Sequence, residues 1–419
     1  MPFDVVVMGQ GYVGLPLARE AANSGLKVAG YDPSAGTVEL LNSGVSHIDD
    51  VSDQDIAGMI AAGYQATSDE TVLADARTIV ICVPTPLGDA GAPDLGAVVS
   101  ATESIARHLT SDTLVVLEST TYPGTTEDVL LPILASSGLE FDADYFLAFS
   151  PERIDPGNKI YGLKNTPKVV GGLTPSSTAR ARTFYERFVD IVIATKGAKE
   201  AETAKLLENT YRHVNIALVN EMSKFCHELG IDLWDVIRAA KTKPFGFQAF
   251  YPGPGVGGHC IPIDPNYLSF EVRKTLNYPF RFVELAEEIN NSMPGYVARR
   301  VQSLLNMEKK SLNGSQILLL GVTYKADIAD QRESPASEIA DLLESQGAQV
   351  DYHDPYVANW LAPNTEKKCI TDLERAAAEA DAVVLLQSHS EYEVDHLAGL
   401  SKIFLDTRGT VAEDRGSRL

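Results

Sequence analysis

The six residues Gly9-Gln-Gly11-Tyr-Val-Gly14 constrain the fold of this chain more than any other segment. They lie between a strand-like apolar run, Val5 to Met8, and a helix-forming stretch, Leu17 to Asn23. A strand that turns into a helix across three glycines opens a βαβ unit. Gly9 permits the tight turn, Gly11 lets backbone approach a pyrophosphate, and Gly14 lets the helix lie close on the strand. Gly9, Gly11, Tyr12, Val13 and Gly14 are therefore candidate cofactor-binding residues. Asp32 closes the second strand 18 residues after Gly14, where it can accept from a ribose diol and repel a 2′-phosphate. NAD is expected in preference to NADP.

The same alternation continues through Thr78 to Val83, Leu114 to Leu117 and Phe146 to Phe149, the pattern of a parallel sheet with helices on its faces. Val83-Pro84-Thr85 and Glu118-Ser119-Thr120 each follow a strand directly, at the carboxyl ends where open α/β sheets bind ligands. Serine and threonine are also ordinary turn residues, so either segment can be structural. From Ala198 to Leu229 the pattern becomes one proline-free helix that meets a breaker at Gly230, and a second helical stretch, Val283 to Leu305, is interrupted near Met293-Pro-Gly295. Strand-helix alternation resumes at Gln316 to Leu320, Gln349 to Tyr352, Ala382 to Leu386 and Lys402 to Leu405. Gly-Tyr-Asp32-Pro and Tyr-His-Asp354-Pro echo one another at strand ends. The expected fold class is α/β, with two Rossmann-like doubly wound parallel-sheet domains, residues 1–197 and 310–419, joined by a central α-helical domain, residues 198–309.

No apolar run approaches the ~18 residues of a membrane span. The N-terminus lacks a basic segment and a cleavage site, so it reads as a first strand in a cytoplasmic protein. The four cysteines, at 82, 226, 260 and 369, show neither metal nor disulfide spacing, and reduced thiols with no metal are expected. A net charge of -22 opposes encounter with nucleic acid or an anionic membrane, so any anionic ligand needs local donors.

One cysteine stands apart. In Gly253-Pro-Gly-Val-Gly-Gly-His-Cys260-Ile-Pro-Ile-Asp264 a thiol and a carboxylate are four residues apart in a glycine-rich loop. Glycines let backbone approach a ligand where a side chain would collide, and prolines limit the loop's excursions. Cys260 can be a nucleophile for a bound carbonyl or an incidental cysteine in a tight turn.

Together with Glu118-Ser-Thr-Thr-Tyr-Pro-Gly124, Ser150-Pro-Glu-Arg153, Ala201-Glu-Thr-Ala-Lys205-Leu-Leu-Glu-Asn209, Gly321-Val-Thr-Tyr-Lys325 through Arg332-Glu-Ser-Pro335, and Leu405-Asp-Thr-Arg408-Gly, these motifs resemble the UDP-glucose/GDP-mannose dehydrogenase family over nearly the whole chain. The resemblance implies a four-electron oxidation of a nucleotide sugar's C6 alcohol to a carboxylate, with two NAD molecules reduced. It implies that Cys260 adds to the intermediate aldehyde as a thiohemiacetal, which is oxidised to a thioester that water cleaves. Lys205 and Asn209, four apart on one helix, would face the same way and donate to a developing oxyanion. Asp264 would order water or assist the thiol, Glu152 would serve as base, and Thr120 would hold the water. Ser119, Thr120, Val83, Pro84, Thr85 and Arg332 fall on the cofactor side of the resemblance. Glu152, Arg153, Lys205, Asn209, Phe250, Tyr251, Pro252, Gly253, Gly257 and Lys325 fall on the substrate side. His259 receives no catalytic role.

Ser-Pro-Glu152-Arg and Val-Gly-Gly-His-Cys260 look more like the branch that oxidises UDP-N-acetylhexosamines than like the UDP-glucose branch, and UDP- or TDP-glucose remain alternatives. The long helix suggests a homodimer. A two-electron β-hydroxyacid dehydrogenase and a non-catalytic NAD or nucleotide-sugar sensor are the competing readings. The first leaves the Cys260 segment and the last domain unexplained. The second does not need Cys260, Lys205 and Glu152.

Overall fold

Val5, Val6 and Val7 are fully buried, and a β-branched segment hidden on both faces belongs at the centre of a covered parallel sheet. In the computed structural model this segment is β1 (Phe3–Met8). The structure describes residues 3–48, 50–86, 88, 93–155, 158, 160–258, 260–362, 365–412 and 415–419, the side chains of Cys260 and Pro262 excepted. Packing divides the chain into two units, Met1–Glu208 with Asn266–Tyr278, and Asn209–Pro265 with Pro279–Leu419.

The first unit is built on β1, β2 (Val28–Tyr31), β3 (Gln65–Thr67), β4 (Ala76–Ile81), β5 (Thr113–Leu117), β6 (Tyr145–Phe149), β7 (Lys168–Gly172) and β8 (Val192–Ala194). Their order is β3-β2-β1-β4-β5-β6-β7-β8. The helices are α1 (Gly14–Asn23), α2 (Ala35–Asn42), α3 (Asp53–Ala61), α4 (Gly96–His108), α5 (Leu131–Leu134) and α6 (Pro175–Tyr185). Leu15, Leu17, Ile56 and Phe184 pack with Val5 and Val7 on one face, while Val98, Ala101 and Leu134 pack with Val6 and Met8 on the other. The sheet is thus doubly wound, as the alternation implied. One step departs from the parallel pattern: β7 runs antiparallel to β6, with Ala148 opposite Gly172 and Phe149 opposite Gly171.

The long helix α7 (Ala198–Glu228) ends at Leu229-Gly230, where Gly230 adopts a φ of +69 that ordinary side chains resist. Next come α8 (Leu233–Ala240), α9 (Cys260–Leu276), α10 (Arg281–Asn291) and α11 (Met293–Met307), the last two separated at Ser292. Here the sequence reading needs correction: the glycine-rich segment does not stay a loop through Asp264. From Cys260 onward it is helix, and Asp264 belongs to that helix.

The second unit's sheet holds β9 (Gln316–Leu320), β10 (Gln349–His353), β13 (Ala382–Leu385), β14 (Phe404–Asp406) and β15 (Ser417–Arg418), ordered β10-β9-β13-β14-β15 with every pairing parallel. A small hairpin, β11 (Asn359–Leu361) with β12 (Glu366–Lys368), stands apart from it. α11 and α12 (Pro335–Glu344) cover one face; α13 (Leu373–Glu379) and α14 (Val394–Leu400) cover the other.

The echo between Asp32 and Asp354 is structural. Each carboxylate follows the second strand of its sheet and accepts a backbone N–H from the loop after the first: Gln10 to Asp32 at 2.9 Å, Val322 to Asp354 at 2.8 Å. Each also accepts from the residue two positions on, Ser34 and Tyr356, at 2.9 Å. Gly9 and Gly321, the first residues after β1 and β9, both have positive φ, +86 and +78.

Candidate active site

The loop from β1 to α1 is shaped by collisions that side chains would cause. A Cβ on Gly9 would lie 2.6 Å from the Cys82 carbonyl oxygen, and one on Gly14 would lie 1.9 Å from that of Gly9. A Cβ on Gly11 would meet nothing within 4 Å, so backbone there is open to an approaching group. No side chain caps α1 at Val13, and within its first turn Leu15 N–H donates to Gly11 O at 3.1 Å while Pro16 has no N–H to offer. Tyr12 is exposed beside this turn. Gln10 braces the turn from below, donating to Val7 O at 2.8 Å and accepting from Tyr64 OH at 2.8 Å. Asp32 is engaged by two backbone N–H groups, yet a carboxylate has further lone pairs to offer a diol. These residues fit a dinucleotide pyrophosphate and ribose.

The next two strand ends are tied together. Ser119 Oγ donates to Val83 O at 2.7 Å, and buried Tyr267 OH donates to the carbonyl of buried Thr85. Pro84 is exposed and Thr120 half-buried. Beyond Thr120, the fully buried carboxylate of Glu202 on α7 accepts Gly124 N at 2.6 Å, Thr126 N at 2.9 Å and Thr126 Oγ1 at 2.6 Å, stapling the loop. Burial pushes the Glu202 carboxyl up despite these donors.

Glu152 lies where β6 ends. Its Oε1 accepts the backbone N–H of Arg153 at 2.7 Å and of Ile154 at 2.5 Å, while its Oε2 lies 3.2 Å from Lys168 Nζ. Lys205, one turn after Glu202 on α7, donates to the Glu152 carbonyl at 2.6 Å. Lys205 and Glu152 are therefore neighbours in the first unit. Arg153 is occupied, pairing with Glu208 at 2.8 Å and donating to Pro167 O.

In the second unit Asn209 donates to Asp264 across 2.5 Å, so α7 and α9 are bonded through two predicted site residues. Gly253 N donates to Asn220 Oδ1 at 2.9 Å, and a Cβ on Gly253 would lie 3.2 Å from an Arg408 guanidinium nitrogen. A Cβ on Gly257 would strike Glu333 O at 2.6 Å and Tyr324 Cβ at 2.7 Å. Gly258 N donates to Arg332 O at 3.0 Å. The glycines thus seat their loop on the segment after β9, the one that carries Lys325. Arg332 forms a forked pair with Asp330, closest at 2.6 Å. Phe250 packs edge-on to Tyr211 at 5.7 Å, Tyr251 stacks on Trp234 at 5.9 Å, and Pro252 is buried. His259 and the Cys260 side chain lie outside the described residues; the Cys260 backbone opens α9.

Sequence reasoning passed over Lys168, Glu118, Tyr185 and Arg408 as site residues. Lys168 carried one visible signal: a charge at the head of a fully buried strand, Lys168-Val-Val-Gly-Gly172. Arg408 is half-buried and donates to Leu386 O at 2.6 Å, and desolvation of its guanidinium pushes its pKa down to about 10.

Residues 3–189 match the NAD binding domain of the UDP-glucose/GDP-mannose dehydrogenase family, 199–292 its central domain and 318–413 its UDP binding domain. A UDP-N-acetyl-D-mannosamine dehydrogenase of Methanocaldococcus jannaschii is 34% identical, over 96% of this chain and 92% of its own length. A UDP-N-acetyl-D-glucosamine 6-dehydrogenase of Pseudomonas aeruginosa is 35% identical, over 93% and 91%. The solved UDP-D-ManNAc dehydrogenase of Pyrococcus horikoshii superposes with a TM-score of 0.89 at 32% identity, covering 98% of this chain and 96% of that one.

Proposed function

Because the chain belongs to the UDP-glucose/GDP-mannose dehydrogenase family, whose members are NAD-dependent oxidoreductases acting on nucleotide sugars, we propose that it oxidises the C6 alcohol of a UDP-N-acetylhexosamine to the uronate through a thioester on Cys260. The observation that supports the thiol's role is a backbone one: Cys260 is the first residue of α9, and the N-terminal end of a helix favours negative charge.

Bound NAD supplies the hydride acceptor for both oxidations. After the first, the Cys260 thiolate adds to the C6 aldehyde, and Lys205 and Asn209 donate to the oxygen that gains charge. After the second, the acyl group sits on sulfur, and Glu152 takes a proton from the attacking water while Thr120 orients it. The water oxygen bonds to the acyl carbon, the C–S bond breaks, and its electron pair returns to sulfur. Asp264, held by Asn209, keeps that amide aimed. In a protein of net charge -22 the anionic nucleotide needs local donors, and Lys325 and the glycine loop supply them. Arg332 serves the cofactor. We take the three-part division at 198 and 310, and a cytoplasmic site with reduced thiols, as parts of the same reading. The exposed stripe Leu207, Tyr211, Leu218 and Phe225 along α7 supports pairing with a second copy of the chain.

Incubation with NAD and a panel of UDP- and TDP-sugars tests the proposal by counting NADH per sugar consumed. Two NADH with UDP-N-acetylhexosamines is the expected result; one favours a simple dehydrogenase, and none favours a sensor. Cys260→Ala should abolish acid formation and retain NAD binding, and undiminished turnover would remove the thioester.

A further inference from the structure

Three ionisable side chains meet inside the first unit at the ends of three adjacent strands. Lys168 Nζ lies 2.9 Å from Glu118 Oε2 and 3.2 Å from Glu152 Oε2, and the lysine side chain is 3% exposed. Glu118 directly follows β5, Glu152 follows β6, and Lys168 begins β7. They converge because β7 reverses direction. Continuing the β6–β7 register beyond Phe149 and Gly171 sets position 152 opposite position 168.

Other groups face this cluster from each neighbouring element. Tyr185 on α6 donates its hydroxyl to Glu118 Oε1, and its ring lies 5.3 Å from Lys168 Nζ. Cys82, after β4, is buried close enough for Glu118 and Glu152 to act on its charge. Lys205 approaches from α7 and donates one N–H to the Glu152 carbonyl rather than to its carboxylate, and Arg153 is paired with Glu208. Burial pushes the Cys82 thiol and the Tyr185 hydroxyl well up, so both stay neutral. The cluster therefore holds two carboxylates against one ammonium. Its uncompensated negative charge is buried, which is costly unless a proton or a cation arrives.

We propose that Lys168 is a positioning residue for thioester hydrolysis: held itself by Glu118, it fixes the Glu152 carboxylate in place to take the proton of the attacking water. This rests on the reading of Glu152 as the hydrolytic base. When the water proton moves to Glu152, the cluster passes from one net negative charge to neutral, so the buried site becomes easier to sustain as the acyl carbon is attacked. The two backbone N–H groups on Oε1 keep one oxygen fixed, and Lys168 fixes the other. Burial raises the Glu118 carboxyl, with the Glu152 charge adding to the rise and Lys168 offsetting it. For Lys168 burial opposes the charge, but Glu118 and Glu152 together hold its pKa above the ordinary value.

The test uses the full chain with NAD and a UDP-N-acetylhexosamine, reading three things: the NADH burst on rapid mixing, the intact mass of quenched enzyme, and the pH dependence of steady-state turnover. Lys168→Met should give a two-NADH burst and then stall as a covalent acyl-enzyme, with kcat down about 100-fold, within the range that general-base catalysis contributes. Glu118→Gln keeps the Tyr185 acceptor and removes a like charge beside the base, so the acid limb of kcat should move to lower pH. A Lys168→Met enzyme with wild-type kcat, or one that loses the first hydride transfer while folded, overturns the proposal. If Lys168→Met does not fold, an unmoved acid limb in Glu118→Gln overturns it equally. Glu152→Gln separates the two readings. Stalling there beside normal turnover in Lys168→Met removes only the role of Lys168, whereas normal turnover in Glu152→Gln removes Glu152 as base.

Discussion

Asp32 accepts the backbone N–H of Gln10 across 2.9 Å, so the residue expected to meet a ribose also holds the glycine turn in shape. These two tasks are separable by substitution. Asp32→Asn keeps an acceptor and loses the charge, so NADP should gain relative to NAD with little change in stability. Asp32→Ala leaves two N–H groups without that partner and should cost about 1–3 kcal/mol in denaturant unfolding. An unchanged NAD-to-NADP preference in Asp32→Asn would show that the charge does not select the cofactor.

Gly14 tests the packing of the same turn. An added Cβ would overlap the Gly9 carbonyl at 1.9 Å, and backbone cannot yield there without moving the strand. Gly14→Ala should lower stability by about 1–3 kcal/mol, as overpacking does, and weaken NAD binding in calorimetry. Wild-type binding and melting would contradict the steric reading.

His213 is buried, lies 3.4 Å from the Asn290 side-chain amide, and burial pushes its pKa down to about 4 from 6.5. The fold therefore favours the neutral ring. Its contribution to stability is complete above pH 6.5 and is lost as pH falls through 4, amounting to at most about 3 kcal/mol. Urea unfolding between pH 7 and pH 4 should weaken more steeply for wild type than for His213→Leu. Parallel pH curves for the two proteins would refute this.

On α7, Leu218 is 54% exposed in a stripe with Tyr211 and Phe225, each seven residues away. Leu218→Glu should shift the protein from dimer to monomer in light scattering while leaving its circular dichroism unchanged. A wild-type monomer at micromolar concentration would mean that the stripe has no second copy to meet.

Several features were legible in sequence because their causes are local. Glycines at 9, 11 and 14 between a strand and a helix specify a turn through steric exclusion alone, and strands β1, β5, β6 and β9 follow from unbroken apolar runs. The unbroken stretch from Ala198 gave away α7 for the same reason. The helix from Cys260 was hidden, since glycine and proline on both sides of the cysteine signal a loop whatever the packing then imposes.

What the chain's order of residues determined, then, is where the turns, strands and long helix lie, together with the family they spell. The tertiary structure decided which charges meet. The reversal of β7 brings Lys168 against Glu152, and the packing of α9 on α7 brings Asp264 to Asn209, 55 positions away. Neither pairing has a local signature, because a buried ion pair or amide–carboxylate bond is set by register and burial across elements, and these exist only once the chain has folded.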